Sequence, residues 1–123
     1  YGIESTEERQ YKHKPLPATI HITCHLLRDD LIITITDDGR GYAKFNHDAN
    51  DLTLIDVTKE TLSVMTQEQS ATSPSANLYA GRGLGLLALY DAVRSYEGTL
   101  AIGSVKDQGT VFEIKIPYGR VYT

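Results

Sequence analysis

Two short glycine-rich stretches carry the residue types and spacings that could do chemistry. "AGRGLGL", Ala80–Leu86, sets Gly81, Gly83 and Gly85 around Arg82 and Leu84, then runs into the apolar "LALYDAVRSY". Glycine has no Cβ, so such a loop lets backbone amides come close to a phosphate. The first amides of a following helix lack intrahelical partners, and the helix dipole favours an anion there. No Ser, Thr, Asp or Asn lies between Ala80 and Leu86 to cap that end, so the donors stay available. Taken alone, the loop fits a phosphate site or a ligand-free helix-capping turn equally well. A P-loop is excluded, because neither Lys nor a hydroxyl follows Gly85. A dinucleotide fingerprint fits poorly, since "SPSANLYA" is a poor strand to precede it.

The second stretch is "TDDGRGY". Strand alternation puts Asp37 on the side of Ile33 and Ile35, whereas Asp38 follows Thr34 and Thr36 outward. An inward carboxylate is costly to bury without hydrogen-bond donors. Gly39 and Gly41 clear side-chain bulk beside it, which suits an exocyclic amine on a flat ring such as adenine. By itself the motif fits better a β-turn whose Asp caps local amides.

The elements that must position these motifs follow from periodicity. Ile20, Ile22, Cys24 and Leu26 alternate with His21, Thr23 and His25, and "RDD" turns the chain into a second strand through Leu31, Ile33 and Ile35. Ile32 on the other face implies partial cover there as well. Cys24 is expected in the core and the two histidines at the surface; at i, i+4 on a strand they stand about 13 Å apart, too far to share a metal. Leu86, Leu89, Tyr90 and Val93 fall at i, i+3, i+4 and i+7, an amphipathic helix. "EGTLAIGS" and "GTVFEIKIP" read as two strands around the turn "VKDQG", with Phe112, Ile114 and Ile116 inward. Residues 1–16 read as a connecting segment with a short helix over "STEERQ". Residues 42–80 are poorly patterned: "DLTLIDVTKETLSVM" has room for a helix, and "TQEQSATSPSAN" has no core pattern. Long stretches of this kind tend to be active-site lids. The order predicts an α/β (α+β) two-layer sandwich, with one largely antiparallel sheet and helices on one face.

Composition agrees with an ordinary globular domain. The 123 residues are 41% hydrophobic and 23% charged, about one domain's worth. A net charge of −4 carries no basic footprint for nucleic acid, and no apolar run approaches the roughly 20 residues that span a bilayer. The single Cys24 cannot form an internal disulfide, which fits a reducing compartment. The chain opens on Tyr1 rather than Met and so reads as a piece of a longer protein.

Taken together, the motifs resemble the ATP-binding domain of the GHKL superfamily, with its Bergerat fold, shared by histidine kinases, the gyrase and Hsp90 ATPases and anti-sigma-factor kinases. "DDGRG" matches the first glycine box, "GRGLGL" the second and "GTVFEIKIP" the closing strand. "YGIESTEERQYKHKPLPATI" is most similar to the corresponding passage of the CheA-type chemotaxis kinases. The resemblance implies that Asp37 accepts a hydrogen bond from the adenine amine and that Gly39 and Gly41 line the base pocket. It implies that Thr110 assists beside that Asp. Gly81, Gly83 and Gly85 would offer amides to the phosphates at the helix from Leu84, while Arg82 either adds charge there or is solvated. Residues 42–80 become an ATP lid.

The same resemblance implies ATP and Mg²⁺ as cofactors, with no catalytic residue inside this chain. The family's metal ligand is an Asn on a helix upstream of Tyr1, so the domain reads as N-terminally truncated, either trimmed or naturally degenerate. The implied partners are a phosphoacceptor His domain, a response regulator and receptor or adaptor proteins, in a cytoplasmic homodimer without nucleic acid or membrane insertion. Two alternatives stand beside a CheA-like kinase: a degenerate GHKL-like binding or dimerisation module, and an anti-sigma-factor type Ser/Thr kinase.

Overall fold

A computed structural model describes residues 2–41, 53–63 and 84–118. Its elements are helix α1 (Thr6–Tyr11), strands β1 (Ile20–Leu27), β2 (Asp30–Asp37) and β3 (Ile55–Asp56), helix α2 (Leu84–Ser95), and strands β4 (Thr99–Val105) and β5 (Gly109–Pro117). The strands form one sheet in the order β1-β2-β5-β4-β3, and every pairing among them is antiparallel. This is the sandwich expected from the sequence. Tight connections make two of the pairings. β1 turns into β2 through Arg28 and Asp29, with Arg28 at φ 58, and β4 turns into β5 through residues 106–108.

Directly paired residues share a face of the sheet, so the register sorts side chains into rows. One row crosses all five strands as Ile22, Ile35, Phe112, Ile102 and Ile55. The next contains Cys24, Ile33, Ile114 and Leu100. Against these rows α2 lays Leu86, Tyr90 and Val93, the stripe its periodicity predicts, with Leu89 partly buried beside them. Ile102 has no exposed surface, and burying such a side chain fully stabilises by about 1.5–3 kcal/mol. The chain leaves α2 at Gly98, whose amide bonds Val93 O at 2.9 Å. A Cβ on Gly98 would stand 2.6 Å from Lys115 O, so the close approach to β5 needs glycine.

Three sequence expectations change. First, β1 is exposed along its whole length, because α2 packs on β4 and β5 and leaves this edge strand uncovered. Ile22 is 64% exposed, and Cys24 lies at the surface rather than in the core. Second, Ile32, on the face opposite Ile33, is buried more deeply than its apolar neighbours in β2. Third, part of the poorly patterned stretch joins the domain. Ile55 and Asp56 pair with β4, residues 59–63 are helical, and Val57 and Leu62 enter the core. Thr58 starts that helical turn by accepting from the Thr61 amide at 3.1 Å. Residues 42–52 and 64–80 of the expected lid lie outside the described residues.

Ile102→Ala should cost about 2–5 kcal/mol of stability, whereas Ile22→Ala on the bare strand should stay within about 0.5 kcal/mol. Urea-denaturation midpoints of the two variants check this.

Candidate functional site

One end of the inner face changes character. Beyond the apolar rows comes a row of Ile20, Asp37, Thr110 and Ser104, joined in register across β1, β2, β5 and β4. Asp37 is 6% exposed, and its Oδ1 accepts from the Gly39 amide at 2.9 Å. The inward direction read from strand alternation is the one observed. Thr110 is 1% exposed, and its Oγ1 makes no hydrogen bond. A buried hydroxyl without a partner costs about 1–3 kcal/mol, so its place beside a buried carboxylate marks a spot made for a polar group. Ser104 Oγ, on the other side of Thr110, donates to Gly109 O at 3.3 Å.

Gly109 sets how closely the β4–β5 turn meets this row, and sequence reasoning passed it over. Its φ is +128, and a Cβ there would lie 1.9 Å from the Asp37 carbonyl oxygen. Only glycine fits. The signal lay in "GTVF": the glycine that opens β5 is as constrained as the threonine that follows it.

The segment read as a connector is built into the site. Ser5 caps α1 by accepting from the Glu8 amide at 3.1 Å. At the other end His13, at φ 58, closes the helix: its amide bonds Gln10 O and the Lys14 amide bonds Arg9 O. That turn sends Lys14 back toward Glu4, which its Nζ meets at 2.6 Å. Arg9 is 1% exposed and reaches Glu4 Oε1 at 2.8 Å and Asp38 Oδ2 at 2.9 Å. Lys12 spans from Glu8 to Asp107 in the β4–β5 turn, at 3.1 and 2.9 Å.

These contacts move the carboxyl titrations. Burial pushes the Glu4 carboxyl up, but hydrogen bonds from Lys14, its own amide and Arg9 outweigh that and hold it below the usual value. The Thr19 amide holds Asp38 low against the opposing effect of burial, with Arg9 helping. Lys12 does so for Glu8, joined by Arg40, and also for Asp107.

Three residues separate the end of α2 from the start of β4, so its C-terminus lies at the Thr99 end of β4. A 12-residue helix spans about 18 Å, so α2 is long enough to cover much of β4 and β5. A Cβ on Gly85, in the first turn of α2, would meet nothing within 4 Å. Of the residues singled out in the sequence, Asp37 and Thr110 share one row, with Gly39 bonded to the first. Gly41 follows two residues later at φ 81. Leu84 and Gly85 open α2. Gly81, Arg82 and Gly83 lie outside the described residues. Among the described residues no group of three His, Cys, Asp or Glu gathers to hold a metal ion.

Two outcomes follow. Gly109→Ala should unfold the chain or displace Asp37, seen as a fall in melting temperature or as altered Gly39 and Thr110 amide resonances. Four carboxyls titrate lower in the folded state than in the unfolded chain, so their stabilisation is complete above the unfolded values. It is lost as pH falls through the folded ones. Melting temperature should therefore hold steady down to about pH 5 and drop below it, and Glu4→Gln should flatten the drop.

Comparison with known proteins gives this geometry its context. Residues 10–120 match the family model described as "Histidine kinase-, DNA gyrase B-, and HSP90-like ATPase". The chain is similar to the chemotaxis protein CheA of Treponema pallidum, 27% identical over 95% of this chain and 15% of that protein. It is also similar to the chemotaxis protein CheA of Halobacterium salinarum, 26% identical over 95% of this chain and 19% of that one. A gliding motility regulatory protein of Myxococcus xanthus is 25% identical over 95% of the chain and 16% of its own length. The chain thus spans less than a quarter of each of these relatives. With its antiparallel sheet, inward Asp37 and nearly complete coverage by the family model, this chain belongs to the histidine kinase-, DNA gyrase B- and HSP90-like ATPase family.

Proposed function

We propose that this chain is the ATP-binding domain of a CheA-like histidine kinase, holding ATP for phosphoryl transfer to a His on a separate domain. The observation that carries the reading is the buried pair of Asp37 and Thr110, a carboxylate and an unbonded hydroxyl side by side at the edge of the apolar core. An ionised carboxylate only accepts hydrogen bonds, whereas a hydroxyl does both. That combination suits the amine edge of adenine, directly or through a water. Gly39 and Gly41 carry no side chain and so would leave room for the ring.

The phosphates would extend toward α2, where the Gly81–Gly85 amides and the helix N-terminus would meet them. Arg82 would add positive charge. Phosphoryl transfer relies mainly on positioning and charge neutralisation, which is a task this arrangement suits. Mg²⁺ would neutralise phosphate charge; among the described residues no group of three His, Cys, Asp or Glu gathers to hold it. The 42–80 stretch serves as lid only outside the part packed into the sheet. The partners implied are a phosphoacceptor domain, a response regulator and receptor or adaptor proteins, in a cytoplasmic homodimer. Among the described residues no helix is long and apolar enough to cross a membrane.

Asp37→Asn tests the reading, because it keeps the size of the side chain and removes its charge. Calorimetric titration of the full-length protein should show ATP affinity falling about 10- to 100-fold. Unchanged affinity would remove Asp37 from the site.

A further inference from the structure

The loop that leaves Asp37 is held from outside to an unusual degree. Each backbone polar group of its next three residues has a partner. The Asp38 amide donates to Thr19 O at 3.3 Å, and Asp38 O accepts from Arg9 Nη1 at 3.1 Å. The Gly39 amide donates to Asp37 Oδ1 at 2.9 Å, and Gly39 O accepts from Lys14 Nζ at 2.8 Å. The Arg40 amide donates to Gly2 O, and Arg40 O accepts from the Asp107 amide, both at 2.9 Å. Loops generally leave several such groups to water, which lets them move.

Arg9 is the centre of this arrangement. Its guanidinium makes four contacts: Nε with Pro15 O at 3.0 Å, Nη1 with Glu4 Oε1 and Asp38 O, and Nη2 with Asp38 Oδ2. The Glu4 side chain is fully buried, and Lys14 is partly buried. Arg9 and Lys14 balance Glu4 and Asp38, so the cluster is neutral and its burial is tolerated. A planar fork with fixed donors sets the orientation of what it binds more strictly than an ammonium does. Two of the four contacts fall on Asp38, the neighbour of Asp37. The peptide that Arg9 fixes leads straight into the amide that orients the Asp37 carboxylate.

We propose that Arg9, seconded by Lys14, is a positioning residue that aims Asp37 at the nucleotide base and thereby sets base selectivity. The proposal rests on the reading of Asp37 as the adenine acceptor. A carboxylate held in one orientation accepts from the 6-amino group of adenine and repels the 6-carbonyl of guanine. A carboxylate free to rotate would discriminate less. Selectivity between the two bases is therefore the quantity that positioning controls.

The test is the ratio of ATP to GTP affinity, measured by titration calorimetry of the full-length protein for wild type, Arg9→Lys, Lys14→Met, Asp37→Asn and the core variant Val93→Ala. Arg9→Lys keeps the buried charge and loses the fork, so the ratio should fall about tenfold or more. The Gly39 amide resonance should move with it. Val93→Ala, destabilised through the core, should leave the ratio unchanged. An unchanged ratio in Arg9→Lys overturns the proposal, and so does an equal fall in Val93→Ala. If Arg9→Lys does not fold, Lys14→Met decides, because it removes only the bonds to Gly39 O and Glu4; a retained ratio there counts against positioning. If Asp37→Asn itself leaves ATP affinity and the ratio unchanged, the adenine reading fails first, and positioning fails with it.

Discussion

Asp37 shares a sheet face with Ile33 and Ile35, and a carboxylate in that position is costly unless donors meet it. Much of the site follows from this constraint. Gly39 turns its amide back to Oδ1, so the chain must bend immediately after the strand. Gly109 must lack a side chain, because the β4–β5 turn presses on the Asp37 carbonyl. Thr110 is brought into the same row by the β2–β5 register. The cost of polar groups at this end is balanced by the apolar rows behind it, where Phe112, Ile102, Ile114 and Leu100 pack under α2.

The two glycine motifs solve different problems. In "DDGRG" the backbone is fixed by ion pairs and hydrogen bonds from α1 and its flanks, so the glycines serve shape. In "GRGLGL" the last glycine, Gly85, lies in the first turn of α2 and faces open space, and the first amides of a helix lack intrahelical partners. Under the proposed function the first motif would hold the flat ring and the second the charged tail.

The sequence made the frame legible where periodicity is strong. β5 matches "GTVFEIKIP" end to end, α2 carries its predicted stripe, and the inward direction of Asp37 follows from counting by twos from Ile33. Two kinds of feature escaped. Ile20, Ile22 and Cys24 alternate like core residues, yet alternation shows only that a face is apolar, not that anything covers it. The N-terminal segment escaped because its stabilisation is electrostatic and long-range. Arg9 and Asp38 are 29 positions apart, and Lys12 and Asp107 are 95 apart, distances at which a charge pattern gives no local period. Val57 and Leu62 were similarly hidden, as two core contributions within a largely polar stretch.

The central claim is that adenine nucleotide binds between the Asp37 row and the α2 N-terminus. The most direct measurement is an amide ¹H–¹⁵N titration of the isotope-labelled protein with ADP. Gly39, Thr110 and Gly85 should shift together along one saturable curve, while Thr23 and His25 on β1 stay fixed. Saturable binding that moves other amides and leaves Gly39 and Thr110 in place would contradict it.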